Sequence, residues 1–168
     1  ILISYYQLIA DDKEIRKQAY ELANILIEIH PKNLKSRAVF ADILYVNGKY
    51  HEANKQYLLI LEKEKSKSSI WSQILFIQAE QKDFEGMLMT SSEALQYFPA
   101  DPLFYYFNAV SNKWHKNYEQ AIKSLEIGID FIFENQSLLL EYYTSLADIN
   151  HLIKNHEISD KYYEKVLL

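Results

Sequence analysis

The chain has 168 residues, 49% of them hydrophobic and 14% aromatic, with a formal net charge of −5, which is ample apolar surface for the core of one domain. Three glycines and three prolines are too few for a β-rich fold with many tight turns. With no cysteine there is no disulfide framework, thiolate metal site or cysteine nucleophile, and an acidic balance without a basic run argues against nucleic acid as the main partner.

Taken in order, the chain reads as a series of short helices. Ile1 to Ile9 is apolar and aromatic, and is expected to be helical. Asp11 or Asp12 can accept a backbone N–H at the start of the next helix, which runs to about Ile29. It ends before Pro31 because the residue ahead of a proline avoids helical geometry. Its inward face is Ala19, Ala23, Leu26 and Ile27, and His30 reads as a helix-end residue favoured by the dipole. Asn33 caps a helix from Leu34 to Asn47, closed by Gly48 in a left-handed turn. The helix from Tyr50 to Glu64 packs Ala53, Tyr57 and Ile60. A charged link, Glu62–Ser68, reads as a solvated turn. Ser69 to Gln81 follows, carrying Trp71, Ile74 and Leu75, and Asp83 caps Phe84–Phe98. Asp101-Pro102 starts a helix reaching about His115, since proline at the first helical position sacrifices only an unpaired donor. Asn117 is expected to cap Tyr118–Phe133. Gly128 lies within that helix, where it costs about 1 kcal/mol against alanine unless helices approach closely there. Leu138–Ile153 and His156–Leu167 complete the set, with Asn155 as the cap of the last.

A period of 34 residues organises these elements. Tyr50, Phe84 and Tyr118 follow it; so do Gly48, Lys82 and Lys116; Ala41, Leu75 and Ala109; and Ala53, Met87 and Ala121. Four columns in one register are not chance recurrence. Ala147 stands 38 beyond Ala109 and His156 stands 38 beyond Tyr118, which places four extra residues in Phe131–Ser137, where they are expected to lengthen a helix end or the turn after it with the packing register kept. The column Lys49, Asp83, Asn117 and Asn155 holds three good cap residues at the repeat boundary.

The pattern resembles the tetratricopeptide repeat, a 34-residue helix–turn–helix. Trp71 with Ile74, Tyr105 with Ala109, Gly48 with Tyr50, Ala53 with Tyr57, and Pro99 carry the signature, over nearly the whole chain. Leu75, Met87 and Ser159 stand where small residues or alanine are usual, Ser91 and Leu125 replace the late aromatic, and the pair before Pro31 matches only in its second helix. The resemblance implies an all-α fold, a right-handed α-solenoid of about five antiparallel helix pairs. One repeat domain would span residues 1–168, with repeats at roughly 1–33, 34–67, 68–101, 102–139 and 140–168. It is read as a piece of a longer protein, because it begins at Ile1 and ends at Leu168 inside a helical pattern.

No side-chain pattern points to chemistry. The five histidines form no i, i+4 pair, no phosphate-binding glycine loop or Gly-x-Ser-x-Gly elbow is present, and the carboxylates fall on solvated helix faces. No catalytic residue, metal site or cofactor is expected, and the chain is not read as an enzyme. No apolar stretch approaches the roughly 20 residues of a membrane span. The compartment is left undecided.

The resemblance implies a concave groove lined by first-helix faces. Helical phase puts Lys35, Ala38, Asp42 and Tyr45 there from one pair, and Ser69, Ser72, Phe76 and Ala79 from the next. Leu103, Tyr106, Val110, Lys113 and Trp114 follow, then Glu141, Thr144, Asp148 and His151. The set of two lysines and an asparagine with which some family members clamp a C-terminal carboxylate is absent. The expected role is a scaffold holding an apolar or aromatic-bearing peptide, or a helix, of a partner protein. The alternative is a structural spacer or accessory segment with no ligand of its own. The terminal helices lack neighbours, and can fray or pair with another copy.

Overall fold

The structure, a computed structural model, describes residues 12–167. Among these residues there are nine α-helices and no strand: α1 Lys13–Ile29, α2 Leu34–Val46, α3 Tyr50–Leu61, α4 Ser68–Glu80, α5 Phe84–Tyr97, α6 Pro102–Trp114, α7 Tyr118–Ile129, α8 Gln136–Leu152 and α9 His156–Leu167. The helix expected over Ile1–Ile9, and Asp11 as an alternative cap, lie outside the described residues.

Local chemistry sets most of the boundaries. Asp12 accepts from the N–H of Glu14 (2.8 Å) and of Ile15 (3.1 Å). Asn33 does the same for Lys35 and Ser36, Asp83 for Gly86, and Asp101 for Leu103 ahead of which Pro102 opens α6. Each such cap satisfies an otherwise orphaned donor. Asn117 departs from expectation. It makes no side-chain cap bond; its amide instead lies 3.5 Å from Asn112 Oδ1. Lys49 in the same column also caps nothing. Two helices stop earlier than their sequences suggest, α3 at Leu61 and α7 at Ile129.

The turns repeat more faithfully than the caps. Gly48, Lys82, Lys116 and Lys154 have φ of 70°, 56°, 63° and 64°. In each case the left-handed residue donates to the carbonyl three back and its successor to the carbonyl five back: Lys116 to Lys113 (3.0 Å), Asn117 to Asn112 (2.9 Å), and likewise at Gly48, Lys82 and Lys154. This is the Schellman closure, which satisfies the last carbonyls of a helix and reverses the chain. Its recurrence at Lys154, 38 residues after Lys116, shows the register resuming after the insertion.

The insertion itself forms an extra helical turn. Helices α4, α6 and α8 begin at Ser68, Pro102 and Gln136, still 34 apart, but α8 has 17 residues where α6 has 13. α7 is no longer than α3, so neither the preceding helix nor its turn absorbs the four residues. One turn is about 3.6 residues, so a four-residue addition leaves the buried face nearly in phase, and Ala147 is fully buried.

The chain divides into two compact units, residues 1–77 and 78–168. In the first, α1 packs on α2 and α2 on α3. Ala23 and Ile43 are packed by Ile15, Ala19, Tyr20, Phe40 and Val46. Ala41, Ala53, Tyr57 and Ile60 are buried, as the repeat columns predict. Trp71 is buried too, and its indole N–H donates to the Lys65 carbonyl at 3.0 Å.

In the second unit consecutive helices from α5 to α9 pack in turn, except that α6 also touches α8, two elements on. The core joins Ala109, Ala121, Leu125, Tyr142, Leu146 and Ile149. Gly128 has the close approach expected of it. An added Cβ would meet the Tyr142 hydroxyl and, at 2.6 Å, Tyr105 Cβ. That space is used by Tyr142, whose hydroxyl donates to the Pro102 carbonyl at 2.5 Å and whose ionisation is opposed by burial. Between α5, α6 and α7 the core is polar. The Asn108 amide donates to Ser91 and Ser92 (3.2 and 3.0 Å), and its oxygen accepts from Ser124 and Asn112 (2.9 and 3.0 Å). A buried amide without such partners would cost several kcal/mol, roughly 2–7 by transfer scales.

Candidate protein-interaction surface

The predicted groove residues fall on both units. In the first, Lys35 stands exposed in the opening turn of α2. One turn or more on, Asp42 and Tyr45 border a hollow with Val46, Tyr57 and Gln73. The Tyr57 hydroxyl crosses from α3 to donate to Asp42 Oδ1, and the Tyr45 ring meets Tyr50 at 5.4 Å. Phe76 on α4 is 38% exposed.

In the second unit a cleft of about 470 Å³ forms along α6 and α8. Tyr106, Val110, Lys113 and Trp114 border it from α6, and Glu141, Thr144 and Asp148 from α8. All seven are among the first-helix positions that the resemblance, carried along by helical phase, assigned to the groove. Two cross-links at the same sequence separation of 35 tie the helices together. Tyr106 donates to Glu141 Oε2 at 3.2 Å, and Lys113 Nζ meets Asp148 Oδ2 at 2.9 Å. From α9, Tyr163 donates to the other Asp148 oxygen at 2.8 Å. Burial pulls the Asp148 carboxyl upward, but the Lys113 and Tyr163 bonds outweigh it and hold it below the usual carboxylate range. The Tyr106 hydroxyl is pushed up, first by burial and then by the Glu141 charge, so it stays a neutral donor.

Trp114 dominates the cleft. It is 61% exposed, yet one face stacks on Phe84 with centroids 4.9 Å apart and planes at 18°. His115 fixes this end of α6 through Ser111 O (2.8 Å) and Glu85 Oε2 (3.1 Å). A ring held in place and still wet loses little entropy on binding. His151 does not border this cleft; it packs edge-on against His156 at 5.2 Å. Phe84, Ser145 and Leu152 border it although helical phase did not point to them. Phe84 belongs to the ring column of the repeat, which reads as core; the helix-start position that makes it a column member also leaves it half-buried beside Trp114.

Among the described residues no group of three or more histidines and carboxylates could hold a metal ion, and no helix is long and apolar enough to cross a membrane. No protein-family profile and no curated protein sequence matches the chain. Solved structures do. MamA of Desulfovibrio magneticus RS-1 (residues 41 to the end) aligns with a TM-score of 0.75 and 17% identity, over 98% of this chain and 92% of that one. Pseudomonas aeruginosa pilF aligns with 0.74 and 18%, over 98% and 74%. A chain of the APC/C hetero-tetramer Cut9–Hcn1 aligns with 0.70 and 16%, over 90% and 28%. All three are tetratricopeptide-repeat proteins. The fold is that of the tetratricopeptide repeat. The helix pairs, the 34-residue step and the left-handed turns are therefore one architecture, that of an all-α solenoid.

Proposed function

We propose that the chain is a protein-interaction scaffold, and that the α6–α8 cleft holds an apolar or aromatic-bearing segment of a partner protein. The carrying observation is Trp114, a largely exposed ring fixed on Phe84 above Tyr106 and Val110. Such anchors dominate binding energy at protein interfaces. The hollow of Asp42 and Tyr45 in the first unit, with Lys35 and Phe76 on the same first-helix faces, is proposed as a further contact region, and His151 as a contact at the end of α8. The fold supports the reading, since one similar structure is itself an assembly of different proteins, Cut9 with Hcn1. No catalytic step is assigned.

The test is capture of partner proteins by the full chain against capture by its Trp114→Ala and Tyr106→Ala/Trp114→Ala variants. Trp114→Ala should lose most of the capture and keep the thermal transition, because the ring is largely outside the core. Capture undiminished in a folded double variant would refute the cleft. Unfolding of Trp114→Ala would mark the ring as packing.

A further inference from the structure

The two units differ sharply in charge. Residues 1–77 carry 9 acidic and 11 basic side chains, a formal net charge of +2, while residues 78–168 carry 14 acidic side chains against 7 lysines, a net charge of −7. The cleft lies in the acidic unit. Of the three charged residues bordering it, Lys113 and Asp148 neutralise each other at 2.9 Å, and Glu141 is left, on the exposed side of α8. Glu85, three-quarters exposed at its side chain, stands next to Trp114 through its contact with His115. Resting on the scaffold reading above, we infer that the occupant of the cleft is a basic amphipathic segment: an aliphatic or aromatic side chain against Trp114 and Val110, flanked by lysine or arginine facing Glu141 and Glu85.

Three physical effects converge on that chemistry. A negative field raises the association rate of positive segments and repels acidic ones. The face of an indole attracts ammonium and guanidinium groups. An acidic segment would have to compete with Asp148 for Lys113, which that carboxylate already holds at 2.9 Å.

Synthetic peptides of equal length test this with the full chain. One carries leucine at helical i, i+3, i+4, i+7 spacing with lysine between. The second has glutamate for every lysine. The third keeps the lysines and has serine for every leucine. Binding is measured by titration calorimetry and by the NMR signals of the two indole N–H groups; Trp71, buried and bonded to Lys65, serves as the internal reference. The lysine–leucine peptide should shift Trp114 alone and bind at least about tenfold tighter than the glutamate version. Glu85→Lys/Glu141→Lys, at two exposed positions, should reverse that order. Equal or tighter binding of the glutamate peptide at Trp114 overturns the basic occupant while leaving the cleft a protein site. Equal binding of the serine peptide reduces the effect to charge alone and overturns the amphipathic assignment. If no peptide moves Trp114, this inference and the reading beneath it both fail.

Discussion

In the first unit Tyr57 is fully buried and gives its hydroxyl to Asp42; in the second Tyr163, 38% exposed, gives its hydroxyl to Asp148. Both pairs are separated by 15 residues, and both join the late ring of a second helix to an aspartate on the first helix before it. Between them in the repeat series, Ser91 and Leu125 replace the ring, and Phe76 and Val110 replace the aspartate. Where the phenol is missing, the carboxylate is missing too. A ring column that reads as core therefore has a second role, because its oxygen fixes a carboxylate on the neighbouring first helix. The units also diverge in how they fill one buried position. Ile60 in α3 corresponds to Gly128 in α7, and the volume Gly128 gives up is taken by Tyr142 from α8. The backbone repeat is preserved by its turns while side-chain volume is exchanged locally, as close packing requires.

Truncating the two tyrosines breaks the comparison most strongly. Tyr57→Ala should destabilise the protein by about 3–5 kcal/mol in chemical denaturation, as expected for a fully buried ring, whereas Tyr163→Ala should leave the midpoint nearly unchanged. Equal losses would show that burial does not separate the pairs. Next in size is Gly128→Ala, expected to cost about 1–3 kcal/mol by overpacking against Tyr142 and Tyr105, despite a helix-propensity gain of about 1 kcal/mol. Adding Tyr142→Phe should recover part of it; a neutral or stabilising Gly128→Ala would contradict the close approach.

The turns should respond in opposite directions. Gly48→Ala should lose about 1 kcal/mol from left-handed strain alone, because nothing lies within 4 Å of the new Cβ. Lys116→Gly, at the same position in the second unit, should gain about 0.5–1 kcal/mol as that strain is relieved, less the added chain entropy. The smallest effect is electrostatic. Asp148 has a folded-state pKa below its unfolded value, so its contribution is present above the unfolded carboxylate range and is lost as pH falls through the folded one. Melting temperature should therefore fall less steeply in acid for Asp148→Asn than for the native chain; parallel curves would show that the Lys113 and Tyr163 bonds add no stability.

The sequence by itself determined what depends on neighbours in the chain: a helix start at Asp11 or Asp12, starts at Asn33, Asp83 and Asp101, the period, the left-handed turn at Gly48, and hence the fold. That Lys82, Lys116 and Lys154 take the same turn came only from the structure. The sequence also determined which residues share a first-helix face, because that needs only the helical angle. Tertiary structure decided what depends on residues a repeat or more away. Asn117 prefers Asn112 to the helix start it was expected to cap, the inserted residues become a turn of α8, and Phe84 is drawn into the cleft beneath Trp114. Local preferences of order 1 kcal/mol fix a cap or a turn, but whether a ring or a carboxylate ends in core or cleft is set by the volume and charge that distant helices bring against it, and no short stretch of sequence contains those.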